Sequence, residues 1–274
     1  MKSMLMLMAV GGLAASAVAQ DISQVNGYYT QTRVFNDFAG TSLFVNETPE
    51  MTPGAPATFA TAGASSMRFR EQFSAFEQGN FANKHLAYLS TDGGASALGL
   101  SHVQSWSIEM NISISAPGTG PRKEAGIRFE NPRPSLGFVD EGLVLVASDG
   151  EVAVFGASMP FSGLGPIYTL NTTARLKFEF FAPGEIDAKG AYRVTFTDAV
   201  TGVHSTGIKI WGTESDGTAG FNYGTKVALV AQNQRNPLIA DSSDINYSDI
   251  QIIPAPGAMA LLGAAGLLAA RRRR

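Results

Sequence analysis

From Ser105 to Ser115 polar and apolar residues alternate without a break. Trp106, Ile108, Met110, Ile112 and Ile114 fall on one side, and Ser107, Glu109, Asn111, Ser113 and Ser115 on the other. A period of two held over that distance predicts a strand with one buried face. The alternation returns at Gly126–Glu130. It returns again at Leu176, Phe178 and Phe180 against Lys177 and Glu179, and at Tyr192, Val194 and Phe196 against Arg193, Thr195 and Thr197. Leu143–Ala147 and Val152–Phe155 flank Asp149-Gly150, which predicts a hairpin closed by a type I′ turn, where both central residues need positive φ. Ile208–Trp211 and Val227–Ala231 predict two more strands. The last strand, Ile245–Ile253, slips phase between Tyr247 and Ile250, so a bulge is expected at Ser248-Asp249.

The first third of the chain is less regular. Strands are expected around Arg33–Phe35 and Ser42–Val45, with the turn-rich residues 36–40 between them. Residues 49–65 are mostly small and polar and read as a surface loop. Residues 67–76 fit a strand through Met67, Phe69 and Phe73, or a helix face through Phe69, Phe73 and Phe76; the strand is preferred. His85–Ser90 is a short strand before the turn Asp92-Gly93-Gly94. No segment between residues 20 and 253 predicts a long helix. About a dozen strands, each with one apolar face, predict an all-β, two-sheet antiparallel β-sandwich.

The order of features over residues 104–253 resembles the concanavalin A-like lectin/glucanase jelly roll. The features are the strand Trp106–Ile114, then Ala125–Phe129, the Asp149-Gly150 hairpin, Leu176–Phe181, Tyr192–Asp198, Val227–Gln232 and the closing Ile245–Ile252. That resemblance implies a fold shared by lectins, laminin-G-like modules and glycosidases, and it does not choose among them. A different β-sandwich satisfies the same alternation.

The two ends of the chain carry an address. Lys2, the apolar run Leu5–Leu13 and the small residues Ala17-Val18-Ala19 form a signal peptide over residues 1–19, with an A-x-A cleavage site. At the other end, Pro254-Ala255-Pro256-Gly257 precedes an uncharged run to Ala270 and the cluster Arg271, Arg272, Arg273 and Arg274. As a short apolar helix, residues 255–270 reach about 24 Å, a little less than a bilayer core of about 30 Å. A membrane anchor is the alternative reading at both ends. Proline motif, Gly/Ala/Leu run and terminal arginines, in that order, resemble the PEP-CTERM sorting signal. The resemblance implies export, then processing of residues 254–274 by an exosortase, with signal peptidase as the earlier partner. Ala255 stands where that signal usually has Glu. The β-sandwich domain is thus expected over residues 20–253, outside the bacterial cell or on its surface, touching the membrane only through the unprocessed tail.

Composition narrows the function. The chain has 20 Lys+Arg and 23 Asp+Glu. Without Lys2 and the four terminal arginines, 15 basic residues face the same 23 acids, about −8. That balance argues against nucleic-acid binding. There is no cysteine, so no disulfide and no thiolate site. Glucanases of the resembled superfamily carry Glu-x-Asp-x-(x)-Glu on one strand, which aligns carboxylates on one face. The counterpart here, Glu185-Ile186-Asp187, lacks the third carboxylate and falls in a turn. His85, His102 and His204 show no ligand spacing and read as solvent-facing strand residues. These absences lead to the expectation that the chain is not an enzyme.

A sugar site needs aromatic platforms beside loop polar groups. Trp211, Asp216, Asn222 and Tyr223, in a glycine-rich stretch, are the candidates for it; Trp211 ending a buried strand is the alternative. Asp92, Glu214, Asp216, Asp241 and Asp244 offer hard oxygens to calcium, and no other cofactor is expected. The sequence therefore predicts an exported, surface- or matrix-associated β-sandwich that is non-enzymatic and glycan-binding or adhesive, with extracellular polysaccharide as a partner. The alternative is a degenerate or unrecognised glycan hydrolase.

Overall fold

The computed structural model describes residues 25–33, 50–53, 66–73, 83–100, 103–133, 137–212, 225–234 and 241–254. They form strands β1 (Gly27–Arg33), β2 (Glu50–Pro53), β3 (Ser66–Phe73), β4 (Asn83–Ser90), β5 (Gly99–Leu100), β6 (Trp106–Ser115), β7 (Lys123–Arg133) and β8 (Gly137–Ala147). The second half supplies β9 (Glu151–Phe155), β10 (Ser162–Pro166), β11 (Thr173–Phe181), β12 (Ala191–Asp198), β13 (Gly202–Ser205), β14 (Lys209–Ile210), β15 (Thr225–Asn233) and β16 (Asp241–Pro254). Sheet A runs β1-β4-β15-β7-β8-β9-β10, with β5 beside β15. Sheet B runs β13-β12-β11-β6-β16-β3-β2, with β14 beside β12. The pairings are antiparallel, for example β6 with β16 and β7 with β15. The expected two-sheet antiparallel sandwich is what the chain builds.

The core lies where the inward faces meet. Ile108, Met110, Ile112 and Ile114 of β6 face Ile127, Phe129, Val144 and Leu229 of sheet A, all fully buried. Tyr247 crosses this core from β16: its hydroxyl accepts the Gly126 N–H at 2.6 Å and donates to the Val230 carbonyl at 2.5 Å. The phenol thereby ties sheet B to two central strands of sheet A. Gly126 has φ 146°, and a Cβ there would stand 1.7 Å from the Val144 oxygen, so β7 and β8 approach in a way only glycine permits.

Several expectations hold. The bulge in β16 falls between Ser248 and Gln251, with Asp249 at φ 51°. Of the ambiguous stretch 67–76, residues 67–73 are strand: β3 pairs with β16 and buries Met67 and Phe69 completely, and residues 74–76 lie outside the described residues. The Asp149-Gly150 hairpin joins β8 and β9, but its turn type differs. The Gly150 N–H bonds to the Ala147 carbonyl at 2.9 Å, so Ser148 and Asp149 are central and Gly150, at φ 95°, comes last. This is the three-residue solution, a turn ending in a left-handed glycine. Two boundaries also move. β1 lies ahead of the expected Arg33–Phe35, and β2 occupies part of the expected loop, at the sheet edge where a terminal Pro53 is tolerated. Residues 34–49, the signal segment and residues 255–274 lie outside the described residues.

Candidate functional site

The outward face of sheet A is unusual. Core alternation on β4 turns Ala87 and Leu89 inward, so Leu86 and Tyr88 point out. On β15 the outward residues are Ala228 and Val230, and on β7 Arg128 and Glu130. Leu86, Tyr88, Ala228 and Val230 form a second apolar cluster, separate from the core, with Tyr29 and Leu143 at its margin. Register brings the polar groups together. Ala228 is the direct neighbour of Tyr88 on one side and of Arg128 on the other. Its methyl is too small to fill the row, and Tyr88 reaches over it to β7.

There the Tyr88 hydroxyl donates to Glu130 Oε2, and Arg128 Nε donates to Glu130 Oε1 at 2.6 Å. Glu130 is 1% exposed, Tyr88 2% and Arg128 8%. Burial, then the hydrogen bond and charge of Glu130, push the Tyr88 phenol well above its ordinary range, so it keeps its proton. Tyr29 sits opposite Tyr88 on β1, with ring centroids 6.1 Å apart. Gln31 and Gln232 lie at the more open edge, and Gln232 donates to Glu124 at 2.5 Å. The face thus combines an aromatic pair, an apolar floor and a buried phenol–carboxylate–guanidinium group. Such a group can position a hydroxyl-rich ligand, or hold a proton beside a carboxylate.

A second polar group lies between the sheets, closed to solvent. Glu71 of β3 accepts Asn83 Nδ2 at 2.6 Å and Asn233 Nδ2 at 2.7 Å, and stands 3.1 Å from His85 Nε2. Next to it Lys123 Nζ donates to Asp241 at 2.5 Å and to the Gln234 carbonyl. Asn83, Asn233 and Lys123 are neighbours in one row of sheet A, while Glu71 and Asp241 come from sheet B. The network joins the two layers at one end. His85 is therefore corrected: it is fully buried with a carboxylate partner, not solvent-facing. Its strand is covered on both faces, so the position of His85 in sequence carried no sign of its partner.

The sequence candidates are dispersed. Trp211 is fully buried, edge-to-face with Phe129 at 5.4 Å and Tyr192 at 5.5 Å, so its ring packs the core and offers no face to a sugar. Asp216, Asn222, Tyr223 and Glu214 lie outside the described residues, as do His102, Ala17, Ala19, Ala255, Pro256, Gly257 and Arg271–Arg274. Pro254 ends β16, opposite Trp106. Asp92 binds Ser90 Oγ at 2.6 Å and Ser96 Oγ at 2.5 Å within its own turn, and these hydrogen bonds hold its carboxyl well below the usual range. Asp241 is engaged by Lys123, and Asp244 by Arg68 Nε at 2.9 Å. Among the described residues no three His, Asp or Glu side chains are grouped to hold a metal. His204 Nε2 lies 3.0 Å from the Thr201 carbonyl. Glu185 falls in the β11–β12 turn, as expected, and accepts Ser105 Oγ at 2.5 Å.

The chain matches no known family profile and no curated protein. Among solved structures it is similar to an alginate lyase from Corynebacterium sp., with 13% identity, 84% of this chain and 95% of that chain covered, and a TM-score of 0.44. A second alginate lyase, from polysaccharide lyase family 7, gives 12% identity, 85% and 95% coverage and a TM-score of 0.44. Lectin II from Ulex europaeus gives 8%, 82% and 98%, and 0.41. The likeness is one of fold. It agrees with the jelly-roll order of strands and is too loose to carry a substrate or a residue role. It does overturn the expectation that the chain is not an enzyme. Structures named as lyases stand beside lectins in this architecture, and a missing Glu-x-Asp-x-Glu motif tests for one kind of chemistry only.

Proposed function

We propose that this is an exported, surface- or matrix-associated protein that engages polysaccharide on the outward face of sheet A. The observation that carries the reading is the group Tyr88–Glu130–Arg128 beside the Tyr29–Tyr88 ring pair. A sugar presents apolar C–H faces and hydroxyl edges, and the rim of this face offers the part-exposed Tyr29 ring beside the amides of Gln31 and Gln232. Tyr29, Gln31 and Gln232 form the accessible rim, and the buried group beneath holds Tyr88 in place. The A-x-A site at Ala17 and Ala19 and the tail from Pro254 to Arg274 support export, with signal peptidase and an exosortase as processing partners.

A second reading, glycan cleavage, is favoured by one feature. The Tyr88 hydroxyl donates to the buried Glu130 carboxylate, so a phenol and a carboxylate are held in a fixed relation. One experiment addresses both. The purified protein is titrated calorimetrically against a panel of neutral and acidic polysaccharides, and the mixtures are assayed for new chain ends. Saturable binding that weakens at least tenfold in Tyr29→Ala supports the face as the site. Chain cleavage lost in Tyr88→Phe, with binding retained, establishes the catalytic reading. Binding indifferent to Tyr29, Gln31 and Gln232 would remove the face from consideration.

A further inference from the structure

The outward face of sheet B carries paired charges, and at one end Arg70 has no ion partner among the described side chains. Asp244 of β16 has Arg70 as its direct neighbour across the β16–β3 ladder. Its carboxylate turns instead to Arg68, which donates through Nε at 2.9 Å and again through a terminal nitrogen. Arg70 is exposed and makes no ion pair with any described residue. It lines an open pocket of about 290 Å³, together with Ser115, Asn171, Ser242, Ser243 and Asp244.

The pocket is fixed on its far side by Asn171. This residue sits in the left-handed region at φ 63°, its N–H bonded to the Ile114 carbonyl at 3.1 Å. Its Oδ1 accepts the Ala116 N–H at 3.2 Å. A flipped amide would set donor against donor there, so the orientation is determined and Nδ2 is left with no partner among the described residues. Ser115 and Ser242 add hydroxyls to the same lining, whereas the buried Ser243 side chain faces the interior with Glu71, its cross-strand neighbour. The Arg70 guanidinium, the Asn171 amide and the Ser115 and Ser242 hydroxyls thus line one concavity. Its carboxylate is already neutralised by Arg68. Its volume lies just under the usual range of small-ligand pockets, about 300–1,000 Å³, which suits one small molecule rather than a chain.

We infer that this pocket binds a small polyhydroxy carboxylate, with the carboxylate held by Arg70 and Asn171 and the hydroxyls by the serines. Arg groups recognise carboxylates through paired donors. The inference is independent of sheet A. Its second element is the role of Arg68, which touches no ligand but keeps Asp244 away from Arg70.

The test is calorimetric titration of the full chain with gluconate, with glucitol (the uncharged polyol of equal carbon length) and with inorganic sulfate. Saturable gluconate binding is expected, with glucitol at least tenfold weaker. Arg70→Ala should weaken gluconate at least tenfold. Arg68→Ala should do nearly the same, because Asp244 is then free to pair with Arg70, and Arg68→Ala/Asp244→Asn should restore binding. Both arginines are exposed, and unchanged thermal unfolding would show that the variants fold. No saturable gluconate binding, or binding unaffected by Arg70→Ala, would overturn the inference. Sulfate binding as tightly as gluconate would overturn the polyhydroxy part and leave a plain anion site.

Discussion

The two outward faces of this sandwich are built from the same backbone and treat the side chains at their centres in opposite ways. On sheet B the outward residues form ladders of exposed or half-buried ions: Arg175 with Glu109 and Asp249, Arg193 and Lys177 with Glu179, Arg68 with Asp244. On sheet A half-exposed ions gather at one end, where Arg122 pairs with Glu124, Asp149 and Glu151. Over β4, β15 and the middle of β7, however, the outward residues are apolar and the ions are buried: Arg128, Glu130 and Tyr88 lie within one hydrogen-bonded group. The first arrangement is what solvent requires of an antiparallel sheet with one wet face. The second costs desolvation that solvent does not ask for, so it calls for another explanation. A site that must hold a phenol and a carboxylate in a fixed relation supplies one.

The sharpest way to break this contrast is to remove the carboxylate. Glu130→Ala withdraws the acceptor that both Arg128 and Tyr88 use in a buried setting. A loss of about 3–5 kcal/mol is expected, as for other broken buried ion pairs, read from the midpoint of denaturant unfolding. A loss below about 1 kcal/mol would mean that the group behaves as a surface pair and that the two faces are not distinct in kind.

The difference between the faces also explains what could be read from the sequence. Sheet B was legible because a wet face forces alternation: β6, β11 and β12 display it residue by residue, and the β16 bulge shows as a slip in phase. On sheet A, β4 is buried throughout and β15 nearly so, and a strand covered on both faces has no period to show. Arg128 and Glu130 were visible as the polar positions of one alternating strand. Tyr88, 42 residues earlier than Glu130, joins them only through the β4–β15–β7 register, which local pattern does not contain. The same holds for Glu71 and His85, whose strands belong to different sheets. Trp211 stood at the head of a glycine-rich stretch and invited a binding role. Its partners Phe129, Phe178, Phe180 and Tyr192 lie on three other strands and draw it into the core.

A milder change separates the hydroxyl from the ring. Tyr88→Phe keeps the aromatic contact with Tyr29 and removes one donor to Glu130. The expected loss is about 1–3 kcal/mol, the usual range for a buried hydrogen-bond group left short of a partner. Chemical denaturation measures it. A neutral outcome would show that Arg128 alone suffices for Glu130, and would weaken the case for Tyr88 as a held proton donor.

The smallest effect is expected on sheet B, and its pH and salt dependence is the useful part. The hydrogen bond from Arg193, helped by Lys177, holds the Glu179 carboxyl below the usual carboxylate range despite partial burial. A carboxylate with a lowered native pKa adds stability that is fully present above its unfolded value, about 4.3, and fades as pH falls through the native value. Glu179→Gln should therefore cost under about 1 kcal/mol at neutral pH, as exposed pairs do. The difference from the unaltered protein should close in acid, and also shrink as added salt screens the pair. Glu130→Gln on sheet A should keep most of its cost at high salt, because its partners are shielded from ions by burial. Equal salt sensitivity at both positions would mean that water and ions reach both faces alike, and the argument for a built site on sheet A would lose its footing.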